Sequence, residues 1–199
     1  MTVAEYLQLH TTPEKADKIL AYLRNHSCSL KITRPRKSKR GDFRFGNGKL
    51  SISVNQDTNS FRFLFTLIHE MAHLKNYLEY GTKVSPHGKE WKADFQKVFS
   101  WFKMQEEFSK DIEVYKAVLA ELNAPKACSG VNHGLERAFM KYDALSDKTL
   151  LADIPIGSAF IFREIQYQKL EDRRTRVMCL NIANKRKYII NKGAEVKAL

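Results

Sequence analysis

At 199 residues, with 43% hydrophobic and 28% charged side chains, the chain has the make-up of a globular protein that can bury one domain of ordinary size and a smaller appendage. No run approaches the ~18 apolar residues of a membrane span, so no membrane partner is expected, and the start MTVAEYLQLH has neither the basic opening nor the apolar block of a secretory signal. Cys28, Cys128 and Cys179 lie far apart without a CxxC, which leaves no disulfide framework or zinc ribbon and points to a reducing cytoplasm.

The net charge of +12 is concentrated in two places. Residues 31–49 hold eight Lys/Arg against one acid, and residues 156–199 hold ten against four; the rest of the chain is almost neutral. Such localisation is the footprint of a polyanion partner, DNA in single-stranded or duplex form, and is compatible with association with the nucleoid. Arg34, Arg36, Lys37, Lys39, Arg40 and Arg44 are the candidates in the first segment. Arg173, Arg174, Arg176, Lys185, Arg186 and Lys187 are those in the second, where strand pairing is expected to gather them into one patch. A solvated basic face is the plainer reading of both segments.

In chain order, residues 12–26 carry a helix signal: Thr12 caps, Pro13 suits the first turn, and Ala16, Ile19, Leu20 and Leu23 recur at helical spacing. Alternation then takes over in SLKITRP, DFRF and KLSISVN, with Gly46-Asn47-Gly48 as a hairpin turn between the last two runs, so a small antiparallel sheet is expected. From Ser60 the apolar stripes Phe61, Leu64, Phe65, Ile68, Ala72 and Leu67, Met71, Leu74 describe a helix that is apolar on most sides and therefore buried. Asp57 or Asn59 would cap it and Gly81 would end it. Further helices are expected at about 87–101, 105–122 and 134–142. Beyond a boundary near residue 150, IPIGSAFIF, RVMCLNIA, KRKYIIN and AEVKAL read as short strands of a small β module, a twisted antiparallel sheet or SH3-like barrel over 151–199.

The buried helix contains His69-Glu70-x-x-His73. Four residues apart on a helix, the two histidines share a face and offer two imidazole nitrogens to one ion, while Glu70 stands beside that ion as a base for its water. Two core histidines bonded to backbone carbonyls are the alternative. A hydrolytic site needs a third ligand. His87, in SerProHisGlyLysGluTrp, and Glu79 both qualify by position. Glu79 would require the sharp turn that a glycine at position 76 gives; Asn76 stands there, no later methionine turn follows, and His87 is preferred. Tyr77 and Tyr80 are weak candidates for an oxyanion donor.

The basic segment RKSKRGDFRFGNGKLSISVN, the helix with HEMAHL and the HisGly-x-GluTrp motif together resemble the SprT-like (Spartan-type) metallopeptidase domain over about residues 12–105. The resemblance implies an α+β fold with a minimal zincin-type core in residues 1–150, one zinc ion held by His69, His73 and His87, and Glu70 as catalytic base. It also implies a place for Glu90 behind the ligands or capping its own helix, and often proteolysis of proteins bound or crosslinked to DNA. Many bacterial relatives end in a zinc ribbon with paired CxxC motifs; this chain has Cys179 alone in its last segment.

Substrate is expected to add as a strand to a sheet edge, with KLSISVN as that edge. The leading expectation is a zinc-dependent endopeptidase acting on protein or peptide near DNA. The competing one is a nucleic-acid-binding or regulatory protein with a structural or vestigial zinc site. Retention of Glu70 beside the histidines favours catalysis, because a structural site has no use for it. Nothing in the sequence bears on the oligomeric state.

Overall fold

The computed structural model describes residues 1–34, 36, 39–56, 59–123, 133–143 and 148–199. The chain forms two compact units, Met1–Pro125 and Lys126–Leu199, whereas the sequence placed its change of character near residue 150. The fold is α+β, with helices and a three-stranded sheet in the first unit and a separate six-stranded antiparallel sheet in the second.

The first unit opens with α1 (Val3–Gln8), a short helix absent from the sequence reading, started by a capping box in which Thr2 and Glu5 bond each other's backbone. Then comes α2 (Pro13–Asn25), capped by Thr12 with Pro13 in its first turn. Three strands follow: β1 (Cys28–Thr33), β2 (Gly41–Gly46) and β3 (Lys49–Asn55). β2 and β3 form a hairpin whose two turn residues, Asn47 (φ 50°) and Gly48 (φ 70°), take the left-handed conformation that a tight hairpin needs.

The sheet differs from the expected antiparallel one. Its order is β1-β3-β2, and β1 runs parallel to β3, with Leu30 opposite Ile52 and Ile32 opposite Val54. The chain leaving β1 passes over β3 to lay β2 on its far side, which reverses the hairpin relative to β1. Arg36 holds that crossover, since its Nε donates to Asn55 Oδ1 at 2.8 Å and its Nη1 to Ser53 Oγ at 3.0 Å. KLSISVN is thus the central strand and not an edge; Ile52 and Val54 on it are fully buried, and the free edges are β1 and β2.

The long helix α3 (Ser60–Tyr80) packs under this sheet and against α4 (Lys89–Trp101). Asn59 Oδ1 accepts from Arg62 N at 2.9 Å to start α3, and Gly81, at φ 62°, ends it. Phe63, Leu67, Ile68 and Met71 on α3 and Trp91, Phe95 and Val98 on α4 are buried in the core, each contributing roughly 1.5–3 kcal/mol if fully removed from water. The two helices are stapled by the buried Asp94, which accepts from Asn76 Nδ2 at 3.0 Å and pairs with Lys75 at 3.1 Å. The single helix expected over 105–122 is two: α5 (Gln105–Phe108) and α6 (Ile112–Asn123). Asp111 breaks the run because its carboxylate caps α6, accepting from the N–H groups of Glu113 and Val114.

The second unit has α7 (His133–Met140), then β4 (Lys148–Leu150), a 3₁₀ turn at Leu151–Asp153, and β5 (Ala159–Phe162), β6 (Ile165–Asp172), β7 (Arg176–Asn181), β8 (Lys187–Asn191) and β9 (Glu195–Ala198). The sheet order is β4-β9-β5-β6-β7-β8, with Phe160, Tyr167, Val177, Cys179, Ile190 and Val196 forming its core. β6 escaped the sequence reading because one of its inward positions is Lys169, a residue that disguises the alternation. No described helix is long and apolar enough to cross a membrane.

Candidate metal centre

His69 and His73 project from successive turns of α3, and His87 reaches them from the turn that leads into α4. The Nε2 atoms converge: His73 to His87 at 2.9 Å and His87 to His69 at 3.2 Å. Nitrogens bound to one tetrahedral ion at 2.0–2.1 Å would stand about 3.4 Å apart, so the donor set fits a single ion with small relaxation. Among the described residues this is the one group of three such side chains able to hold a metal.

Burial keeps the three rings neutral, as ligation requires. It pulls His69 down to about 3, with His73 and His87 adding to the effect, and His73 down to about 4, with His87 adding; His87 is lowered by burial too.

Local backbone explains the second half of the motif. His87 sits at φ 61°, an uncommon conformation for a side-chain-bearing residue, held by a turn in which Gly88 N donates to Ser85 O at 2.9 Å. A Cβ on Gly88 would meet Ser85 O at 3.0 Å and Glu90 Oε2 at 3.4 Å, so glycine allows the chain to pass from the ligand straight into α4. Glu90 lies in that first turn of α4, suited to the positive end of the helix, and no hydrogen bond joins it to the three histidines. Trp91, completely buried, is a component the sequence reading passed over: its ring lies 4.7, 5.1 and 4.6 Å from those of His69, His73 and His87 and stacks on Phe95. It is the wall that fixes all three imidazoles. The aromatic closing the HisGly-x-Glu-aromatic pattern was its signal.

Glu70 is 7% exposed and faces the sheet. Burial pushes its carboxyl up to about 8 and the Asp42 carboxylate adds to this, while the Phe43 N–H, Arg36 and Lys39 work against it. A cation held by the histidines acts in the same downward sense. Gly41 determines where this carboxyl sits, since a Cβ there would fall 2.6 Å from Glu70 Oε1 and from Thr66 Cγ2. The sequence offered only a glycine at a strand start with no turn to explain it.

Glu79 is engaged elsewhere, with Lys75 at 2.5 Å, on the exposed side of α3. Tyr80 bonds Glu79, and Tyr77 stacks on Phe45 with ring centres 4.4 Å apart.

The expected nucleic-acid residues divide by circumstance. In the first segment Arg36 is committed to β3, Lys39 and Arg44 both bond Asp42, Arg34 is exposed, Arg40 is half-buried, and Lys37 lies outside the described residues. In the second, all six are exposed. They do not form one patch, however. The register sets Arg176 opposite Asn191 and Lys187 opposite Leu180, so the two triplets flank opposite ends of the β7–β8 ladder, about 13 Å apart along the strand. Basic residues gathered at the two turns are separated by the strand between them.

A buried helix and the turn after it bring three imidazoles and a glutamate together within an α+β unit, an arrangement compatible with a metallopeptidase. The model of the SprT-like family matches residues 21–115, from within α2 to within α6, so this stretch is similar to a SprT-like domain. The match spans just under half of the chain. Neither a curated protein nor a solved structure matches it.

Proposed function

We propose that the chain is a zinc-dependent endopeptidase with a minimal zincin-type core. The observation that carries this reading is the convergence of three neutral imidazoles and, on the same helix, a buried glutamate that, among the described residues, is outside the ligand group and pairs with no cation at hydrogen-bond distance. His69, His73 and His87 would hold the zinc ion, which would supply a Lewis acid for the peptide carbonyl and lower the pKa of water toward ~7. Glu70 takes the proton of the attacking water on its carboxylate and passes it to the leaving amine nitrogen; burial, which favours the protonated form, makes that carboxylate a competent base near neutral pH.

The polypeptide substrate adds along β2. Arg40 O accepts from Asn55 N at 2.9 Å, and alternation of the ladder then turns the main-chain groups of Gly41, Phe43 and Phe45 away from β3, with the Phe43 N–H already taken by Glu70. This edge runs directly past Glu70, and main-chain pairing there tolerates many sequences. Selectivity then has to come largely from recruitment. Proteins bound or crosslinked to DNA are the substrates we favour, with DNA contacted through Arg173, Arg174, Arg176, Lys185, Arg186 and Lys187. The β module is read as an SH3-like barrel, supported by the order β9-β5-β6-β7-β8 and the register shift in β6 between Lys169 and Glu171.

The test is cleavage of a basic, unstructured protein with and without DNA, before and after chelation, with metal content measured alongside. Glu70→Gln should keep one zinc per chain and lose at least ~100-fold in proteolysis. His87→Ala should lose most of the zinc and Glu79→Ala should retain it. Proteolysis near wild type in Glu70→Gln would sink the mechanism, and absence of chelator-sensitive cleavage by wild type would leave the nucleic-acid-binding reading with a structural zinc site.

A further inference from the structure

The face of α3 that carries the metal ligands continues past them. His69, His73 and Tyr77 are spaced by four, so Tyr77 lies just over one helical turn, about 6 Å, beyond His73 on the same face. Over that turn β2 lays two aromatic rings, Phe43 at 5.8 Å from Tyr77 and Phe45 stacked on it at 4.4 Å, tilted by 22°. Phe43 and Phe45 themselves lie 6.1 Å apart. Phe45 remains 48% exposed, a large apolar surface left to solvent at the end of the very edge that passes Glu70. Its neighbour Arg44 is paired with Asp42.

We propose that Phe45, with Tyr77 and Phe43, forms a specificity subsite that receives an aromatic or large aliphatic side chain of the polypeptide substrate. This rests on the endopeptidase reading above. β2 runs from Gly41, against Glu70, to Phe45, over Tyr77, a path of about 13 Å on the strand and about 10 Å on the helix, so strand and helix keep pace. A substrate pairing antiparallel with β2, the stronger arrangement, travels from the Phe45 end toward Glu70. The residue over the platform is therefore about three or four positions on the N-terminal side of the scissile bond. The exposed ring gains from covering an apolar side chain and gains nothing from a polar one, so a main-chain docking mode acquires a side-chain preference at one position.

The experiment profiles cleavage of a peptide library by the zinc-loaded full chain and by Phe45→Ser and Phe45→Leu, with zinc content as the control for folding. Wild type should prefer aromatic or large aliphatic residues at that position by about tenfold in kcat/KM over serine, the scale of one apolar pocket contact. Phe45→Ser should bring the ratio close to one, and Phe45→Leu should keep most of it. No preference at that position, or one that survives Phe45→Ser, overturns the subsite while leaving the peptidase reading intact. If no peptide is cleaved by wild type, the peptidase reading fails; the subsite is then tested by fluorescence anisotropy with labelled Phe- and Ser-containing peptides, where equal affinities overturn it too. A fall in single-stranded oligonucleotide binding by Phe45→Ser, with peptide preference unchanged, would make the platform a base-stacking surface and reject the proposal.

Discussion

Glu70 in the first unit and Lys169 in the second are both charged residue types held in a core, at 7% and 1% exposure, and the two regions treat them oppositely. Lys169 Nζ donates to Leu151 O at 3.2 Å and to Ala152 O at 3.4 Å and pairs with Asp172 at 3.0 Å; Lys192 pairs with the other oxygen of Asp172 at 3.1 Å. Every hydrogen of that ammonium has a destination, and the group serves as a bolt between β6 and the turn at Leu151–Asp153. Glu70 receives the Phe43 N–H, yet burial and the like-charged Asp42 outweigh that bond and the more distant Arg36 and Lys39. A buried charge with all partners supplied is architecture. One pushed toward neutrality, beside a cluster of ligand nitrogens, is what the proposed general base requires.

Removing each group should separate the two cases. Lys169→Met leaves two carbonyls and one side of Asp172 without a donor and should destabilise the β module by about 3–5 kcal/mol, read as an early transition in thermal or denaturant unfolding. Glu70→Gln, despite comparable burial, should shift stability by less than about 1 kcal/mol because nothing strongly stabilises its charge. Equal losses in the two variants would break the contrast.

A third buried ionisable group extends it. Burial raises the Glu107 carboxyl, but bonds from Lys110, Thr11 and Lys15 outweigh that and bring it down to about 2 from the usual 4.5. Its stabilisation is therefore complete above about pH 4.5 and is lost as pH falls through 2, an effect of up to about 3 kcal/mol. In denaturant titrations wild type should lose more stability than Glu107→Gln over that window, and parallel curves would show the network contributes nothing.

Gly41→Ala tests the placing of Glu70 without altering its charge. The new Cβ has to displace the carboxyl or Thr66, at a cost of about 1–3 kcal/mol, and proteolysis should fall with zinc content preserved. Full activity would mean that Glu70 is not held by this contact.

The smallest effect concerns the basic ends of the β7–β8 ladder. Replacing Arg173, Arg174 and Arg176 with alanine should flatten the log–log salt dependence of duplex DNA binding by up to roughly three units. Because Lys185, Arg186 and Lys187 flank the other end of that ladder, replacing them should flatten it separately and additively. An unchanged slope in both variants would remove these residues from the DNA contact.

The sequence by itself determined the features whose causes lie within a few residues. The cap at Asn59, the stop at Gly81, the Gly46-Asn47-Gly48 hairpin and the alignment of His69 with His73 each depend on bonds or periodicities spanning at most a few turns of chain. The capping box of Thr2 and Glu5 that starts α1 is equally local. Other features depend on residues far apart in the chain, and there the sequence was silent. Arg36 reads as a free basic residue until β3 provides Asn55 and Ser53 to bind it, and with it the parallel pairing of β1 and the central place of β3. Lys169 reads as surface until Leu151 O and Asp172 close over it, and that concealment hid β6. Gly41 against Glu70 and Trp91 against the three histidines were likewise decided only in three dimensions, because close packing between distant segments leaves no period in the sequence from which to infer it.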